Sequence, residues 1–356
     1  MTSEEIVRFR DHLFAWYHDH QRYLPWRQTK DPYRLWVSEV MLQQTQVKKI
    51  LSYYGRFVDR FPDIERLAAA DLQDVLKVWE KMGYYTRARN LHKAARIVVE
   101  GMGGRIPADY GEFRRLPGVG DYIAAAVQSF AFNKPYPVVD GNVKRVFSRL
   151  FLIETPINTS LSTKEIKERA EELLDRDKPG LFNQAIMELG ATICRPRQPI
   201  CSECPVSLLC QARKRGRQGI IPVTTRRKPL PTVHIATAVI YRRNRVLITR
   251  RHPDGLLGGL WEFPGGQVRK GEKSEEACTR EIKEEVNLSV EILEQLTRIT
   301  HAYTHFRIIM DVFRCRYQSG RVLLSGPVDY RWITIDEIDR FPFPVANHKF
   351  IPLLLE

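Results

Sequence analysis

"FRRLPGVGDYIAAAVQSFAF", residues 113–132, places two glycines in a tight turn directly before a helix of small apolar residues. Gly118 and Gly120 let the backbone come close to a ligand, and the N–H groups at the following helix start favour an anion there. A turn of this kind holds a phosphate without reading a base. By itself a Gly-x-Gly corner also joins many helices that bind nothing, so its meaning depends on the text around it.

That text is helical from the start to about residue 215, with apolar residues recurring at three and four. In "TKDPYRLWVSEVMLQQTQVKKILSYYGRFVDRF", residues 29–61, Asp31 is placed to cap, Pro32 suits a first helical position, and the pattern predicts one long helix. The basic, Pro- and Gly-rich stretch 213–232 lacks apolar period and reads as a linker. Beyond it, residues 233–251 alternate like two paired strands around a polar turn. A helix at 274–286 and further β text around 305–317 complete a smaller α+β domain. The expected division is 1–218, a linker 219–232, and 233–356.

The 356 residues exceed one ordinary core, and 43% apolar residues suffice for two. No apolar run is long enough to span a bilayer, and the acid-led, amphipathic N-terminus differs from a signal peptide. The expectation is a soluble, cytoplasmic protein, nucleoid-associated in a prokaryote, working as a monomer and without a membrane. A net charge of +14 favours a polyanionic partner over an acidic surface, although a solvated basic surface carries the same charge.

Four of the six cysteines fall in "CRPRQPICSECPVSLLC", residues 194–210. A reducing compartment makes metal the first reading of clustered thiols. Structural zinc takes two close pairs, whereas only Cys201 and Cys204 are close here. Longer, uneven gaps to Cys194 and Cys210 lean towards a [4Fe–4S] cluster.

Two carboxylates stand out. Glu39 shares a helical face with Trp36, Leu42, Gln43 and Gln46. A carboxyl among apolar neighbours has a raised pKa and serves as a general acid near neutrality, unless it is simply a buried glutamate paired with a cation. Asp140 ends an apolar run before an amphipathic helix. It is an N-cap, and amides at a helix start would keep it ionised.

In 265–288, Gly266, Glu272, Arg280, Glu281, Glu284 and Glu285 recur at the intervals of a Nudix box, with Asn287 in place of the late glycine. Glu281, Glu284 and Glu285 share one helix face and suit a hard ion such as Mg2+, which would support hydrolysis of a nucleoside diphosphate linkage. A solvated acidic face is the plain alternative.

Taken together, the cysteine spacing, the Gly-x-Gly hairpin followed about twenty residues later by Asp140, and "SEVMLQQTQV" at 38–47 resemble the helix-hairpin-helix DNA glycosylases of the endonuclease III and MutY branch. The resemblance covers nearly the whole chain. It implies an all-α helix-hairpin-helix glycosylase domain with an iron–sulfur loop, followed by an α+β Nudix-like domain. Members that also cut the backbone carry a lysine two places after the second glycine; here that residue is Tyr122, which points to the monofunctional adenine glycosylases of the MutY type. The implied partner is double-stranded DNA with an adenine mispaired with 8-oxoguanine or guanine.

The resemblance further implies Glu39 as acid and Asp140 as the group opposing the sugar cation, with Tyr122 and Asn142 on the sugar side. Trp26, Arg27 and Gln184 would hold the base, and Gln44 and Tyr84 would fill the gap it leaves. Arg195 and Arg197 would meet the backbone, if they are not merely solvated, together with the hairpin of Gly118 and Gly120. Tyr303, Thr304 and His305 correspond to the family's Phe-Ser-His lesion-recognition loop, threonine keeping the hydroxyl but adding a methyl. A bifunctional glycosylase/lyase and a Nudix pyrophosphohydrolase tethered to DNA are the alternatives, the second supported by the near-intact box.

Overall fold

In the computed structural model of the protein, residues 1–225 and 229–355 are described; Arg226, Arg227 and Lys228 of the expected linker lie outside the described residues. The chain forms two compact units. One comprises Met1–Ala68 and the chain from Lys93 to the linker; the other comprises Ala69–His92 and the chain after the linker.

The helices in chain order are α1 (Ser3–His20), α2 (Pro32–Leu42), α3 (Val47–Arg60), α4 (Ile64–Ala69), α5 (Leu72–Val78) and α6 (Tyr85–Met102). They continue with α7 (Tyr110–Arg114), α8 (Asp121–Phe132), α9 (Gly141–Leu150), α10 (Ser160–Leu173), α11 (Pro179–Thr192) and α12 (Gln211–Lys214). Asp31 caps α2 by accepting from Tyr33 N, and Pro32 takes the first helical position as expected. The single long helix expected over 32–60 is two. The chain leaves the helix after Leu42, and Gln44 adopts φ 54°, a left-handed backbone that an L-residue seldom takes, before α3 begins at Val47.

The first unit's main core joins α1, α9, α10 and α11 through Phe9, Leu13, Phe147, Ile166, Leu173, Phe182 and Leu189. From Ile123 to Phe130 every residue of α8 is buried, which its run of alanines permits. Gly190 on α11 faces the start of α9 so closely that a Cβ there would lie 2.6 Å from Asn142 Cβ. This close approach brings the end of α11, and the cysteine loop after it, against the N-cap of α9.

The second unit holds β1 (Thr232–Arg242), β2 (Arg245–Arg250), β3 (Trp261–Glu262), β4 (Gly265–Gln267), α13 (Ser274–Val286), β5 (Leu288–Ala302), β6 (Arg307–Gly320) and β7 (Asp329–Ile333). They make one mixed sheet in the order β3-β2-β1-β6-β5, with β4 on β1 and β7 on β2. The β1/β6 pair is parallel and β1/β2 is the hairpin expected from the alternation. Residues 236–240 are all buried because both faces are covered. On one face α13 packs Ala277, Cys278 and Ile282 against Ala238, Ile240 and Phe313. On the other, Trp261, Phe263, Phe343 and Phe350 form a second core. Asn287 ends α13 at φ 57°, so it supplies the left-handed C-cap that a glycine usually gives.

Residues 69–92 are tied into this second unit side chain by side chain. Gln73 donates to Gly259 O at 2.9 Å and accepts from Trp261 Nε1 at 2.8 Å. Glu80 accepts from Phe343 N at 2.9 Å, Tyr85 Oη donates to Phe343 O at 3.1 Å, and Arg89 reaches Gly258 O at 2.8 Å.

Candidate active site

Glu39 lies in the third turn of α2, 3% exposed, between Ser38 and Val40, which are themselves buried. The face that buries Trp36 and Val40 carries the carboxyl inward, as the spacing requires. The hydroxyl of Tyr122, in the first turn of α8, donates to Glu39 Oε2. Burial pushes the Glu39 carboxyl up to about 7, against the pull of the Tyr122 hydrogen bond; nearby Asp140 adds to the rise and Arg27 opposes it. The Tyr122 phenol is held well above its ordinary range by burial and by Glu39.

Asp140 caps α9, accepting from Val143 N at 2.7 Å and from Asn142 Nδ2 at 2.9 Å. These bonds favour the ionised form, as the N-cap reading anticipates. Burial outweighs them, and the carboxyl ends above the usual aspartate range. Both acids face a cavity of about 120 Å³ lined also by Trp26, Arg27, Tyr122, Asn142 and Gln184. The structure therefore gathers at one cavity residues that the chain spreads from position 26 to position 184. Trp26 is both wall and core: it is 4% exposed and meets Tyr54 edge-on at 5.2 Å. Gln184 Oε1 accepts from Tyr17 Oη at 3.1 Å.

Two charged lining residues, Arg22 and Glu188, were not legible beforehand. Glu188, fully buried on α11, accepts from Arg22 Nε at 2.6 Å and from Arg27 Nη2 at 2.7 Å. The partners are more than 160 positions apart, so no local pattern announces the cluster.

Asn142 also accepts from Arg145 Nη2 at 2.8 Å, and Arg145 Nε donates to the carbonyl of Cys194 at 2.8 Å. Next to it Arg149, 2% exposed, donates to Ile221 O (2.8 Å), Arg195 O (2.6 Å), Pro196 O (3.1 Å) and Cys194 Sγ (3.3 Å). The cysteine loop is thus folded around one buried guanidinium. All four cysteines are half-buried free thiols, and Cys194, Cys204 and Cys210 pack against the same core. Burial raises Cys204 to about 12, and the other three thiols add to the shift. Among the described residues no three His, Cys, Asp or Glu side chains are close enough to hold a single metal ion, these thiols included. The four thiols nevertheless influence one another, and four thiolates in one loop are the donor set that a larger group would require.

Gly118 takes φ 78°, which explains the glycine. Gly120 is the N-cap of α8, where no side chain of the cap residue bonds the first amides. Arg195 and Arg197 are exposed on the cysteine loop.

In the second unit Tyr84 is 41% exposed with φ 51°, so both expected gap-filling residues, Gln44 and Tyr84, sit in left-handed backbone. The Arg87 guanidinium lies over the rings of both Trp79 and Tyr84, at 5.6 and 4.9 Å. Thr304 Oγ1 donates to Tyr84 Oη at 3.0 Å. Tyr84, Tyr303, Thr304, His305 and Leu256 line a cavity of about 380 Å³, in which Tyr303 stacks on Phe306 at 4.9 Å. Tyr84 and the 303–305 loop, read from the sequence as separate features, line one cavity.

The expected Mg2+ set is not assembled. Among the described residues no three carboxylates are close enough to hold one ion, although Glu281, Glu284 and Glu285 line one cavity with Glu262; Arg280 donates to Glu281 at 2.5 Å, Glu284 at 3.2 Å and Glu272 at 2.7 Å. Glu285 instead accepts from Gly265 N at 2.9 Å and is pushed up to about 8 by burial and Glu262.

Comparison with known proteins agrees with this architecture. Residues 37–176 match the HhH-GPD superfamily of base excision DNA repair proteins, and residues 236–353 match the NUDIX domain. The adenine DNA glycosylase of Homo sapiens is 34% identical over 97% of this chain and 73% of its own length. That of Rattus norvegicus is 33% identical over 97% and 77%. The adenine DNA glycosylase of Buchnera aphidicola (strain Bp) is 36% identical over 72% of this chain and 73% of its own. Among solved structures, a thermostable thymine-DNA glycosylase superposes with a TM-score of 0.55 at 31% identity, covering 60% of this chain and 98% of that one. An endonuclease III–DNA covalent intermediate, at 23% identity and TM-score 0.52 over 61% of this chain and 99% of that one, shares the fold.

Proposed function

Because the chain belongs to the adenine DNA glycosylase family, we propose that it hydrolyses the N-glycosidic bond of adenine mispaired with 8-oxoguanine or guanine in double-stranded DNA. The observation that carries this reading is Glu39, a carboxyl buried in a small cavity, raised to about 7, and facing a second acid, Asp140.

The mechanism follows from those two environments. The adenine leaves the stack, since its glycosidic bond is out of reach within the duplex. Glu39, protonated near neutrality, gives its proton to N7 of the purine, and the C1′–N9 electron pair leaves with the base. The sugar becomes oxocarbenium-like, and ionised Asp140 opposes its positive charge. Glu39, now a carboxylate, takes a proton from the attacking water, which adds to C1′ and leaves an abasic site. Tyr122 and Asn142 orient the two acids and line the sugar side. Tyr122 has no amine, so this site forms no Schiff base and leaves the strand uncut.

Trp26, Arg27 and Gln184 hold the base. Gln44 and Tyr84 fill the emptied stack, while Tyr303, Thr304 and His305 read the opposite base. Cys194, Cys201, Cys204 and Cys210 would hold a [4Fe–4S] cluster, a reading supported by their spacing and shared surroundings; bound there it would serve structure, in the loop that presents Arg195 and Arg197 to phosphates. The protein acts as a monomer on chromosomal DNA, and no helix among the described residues is long and apolar enough to cross a membrane.

Duplex assays test the proposal. Adenine opposite 8-oxoguanine and opposite guanine should yield free adenine and alkali-labile sites without spontaneous nicks. Preferential release of an oxidised pyrimidine, with nicking, would assign the bifunctional activity instead.

A further inference from the structure

We propose that Glu188 is a positioning residue of the excision site: from full burial on α11 it fixes Arg22 and Arg27 and offsets part of their charge, and so sets how much positive charge the base pocket carries when the purine is protonated. The inference rests on the assignment of Glu39 as the acid and goes beyond it.

The geometry is specific. Glu188 Oε1 accepts from Arg22 N at 3.2 Å and Arg22 Nε at 2.6 Å, and Oε2 accepts from Arg22 Nη2 at 2.8 Å and Arg27 Nη2 at 2.7 Å. Arg27 Nη1 donates back to Arg22 O at 3.1 Å, which closes the cluster. Arg27 is 9% exposed and lies over the Tyr17 ring at 5.5 Å. All three charged groups line the cavity that holds Glu39. One buried carboxylate therefore faces two guanidiniums, and a buried ion pair is costly to break from one side because the remaining charge is left uncompensated.

The chemical need is clear. A purine that takes a proton on N7 becomes a cation, and two unopposed guanidiniums in the wall would repel it. They would also drive Glu39 to ionise early. The charged and titratable groups acting on Glu39 are Tyr122 from α8, Asp140 at the start of α9 and Arg27 from the turn before α2. Of these, Arg27 alone is cationic, and Glu188 offsets it. Glu188 itself is held below the ordinary glutamate range by its two arginines despite burial, so it stays negative throughout the working pH.

Single-turnover excision measured across pH tests the idea on three variants of the full-length protein. In Glu188→Gln the alkaline limb of the rate profile should move to lower pH, by about one unit for an unbalanced charge a few ångströms away. The rate at the optimum should fall. In Arg27→Gln the limb should move the other way, and this variant decides the matter if Glu188→Gln does not fold. Glu39→Gln serves as control. Limbs unmoved in the folded variants, with Glu39→Gln inactive, overturn this inference alone. An active Glu39→Gln removes the acid assignment and this inference with it.

Discussion

The hydroxyl of Thr304 stands 3.0 Å from the hydroxyl of Tyr84, 220 residues earlier in the chain. The loop proposed to read the opposite base and the side chain proposed to enter the stack are thus joined before DNA arrives. Thr304→Val removes the donor and leaves the size; Thr304→Ser keeps the donor. A neutral hydrogen bond of this kind contributes about 0.5–1.5 kcal/mol. The expected result is lesion-duplex binding weakened several-fold in Thr304→Val and retained in Thr304→Ser, read by equilibrium titration. Equal losses in both would show that the hydroxyl pair is incidental.

The acids predict a bell-shaped pH profile. Glu39 must carry its proton, so the rate declines as pH rises through about 7. Asp140 must be ionised, and its raised position brings the acid limb to higher pH than an ordinary aspartate gives. Glu39→Gln should lower the single-turnover rate by several orders of magnitude with binding intact. An alkaline limb that stays at its wild-type position in Tyr122→Phe would mean that Tyr122 does not bear on the acid.

Burial of Glu39 also has a stability cost with a definite sign. Its folded pKa is above the ordinary 4.5, so its contribution is most favourable below 4.5 and is lost as pH rises through about 7. Glu39→Gln is free of that loss. Its melting temperature, compared with wild type, should gain progressively between pH 5 and pH 8. A constant difference over that range would contradict the buried-acid account.

Arg149→Met should unmake the cysteine loop. It leaves the carbonyl of Ile221 without its donor in a buried place, and those of Arg195 and Pro196 without theirs in partly buried ones. Each unsatisfied group costs about 1–3 kcal/mol, so the protein should purify with little iron and melt well below wild type. Iron and sulfide assays alongside calorimetry check this. Stoichiometric zinc without iron in the wild type would replace the cluster assignment.

The hairpin glycines separate cleanly. Gly118→Ala forces a side chain into φ 78° and should cost about 1–2 kcal/mol. At Gly120 a Cβ meets open space, so Gly120→Ala should fold normally. Any loss of duplex affinity in Gly120→Ala then reports the phosphate contact itself.

Much of the active site could be read from local pattern. Glu39 and Asp140 are placed by helical spacing and by an N-cap, both of which are properties of a few neighbouring residues. What escaped the sequence is long-range or conformational. Glu188 meets its arginines only in the folded chain. Gln44 breaks the helix through a left-handed backbone that glutamine does not advertise. The box glutamates have the spacing for a cation, but spacing says nothing about how far apart the folded carboxylates stand or that Arg280 pairs with Glu272 and Glu281. The β1/β2 hairpin, by contrast, was legible in 233–251 because a hairpin is a local structure, although both strands are buried on both faces where the alternation suggested one.

The membership of residues 69–92 in the second unit has a consequence for inheritance. A crossover at the linker would transplant a C-terminal half without the strap it was shaped to receive. Donor and recipient would then have to agree at Gln73, Glu80 and Tyr85 as well, so these two stretches are bound to drift together, as a lock and key are recut as a pair.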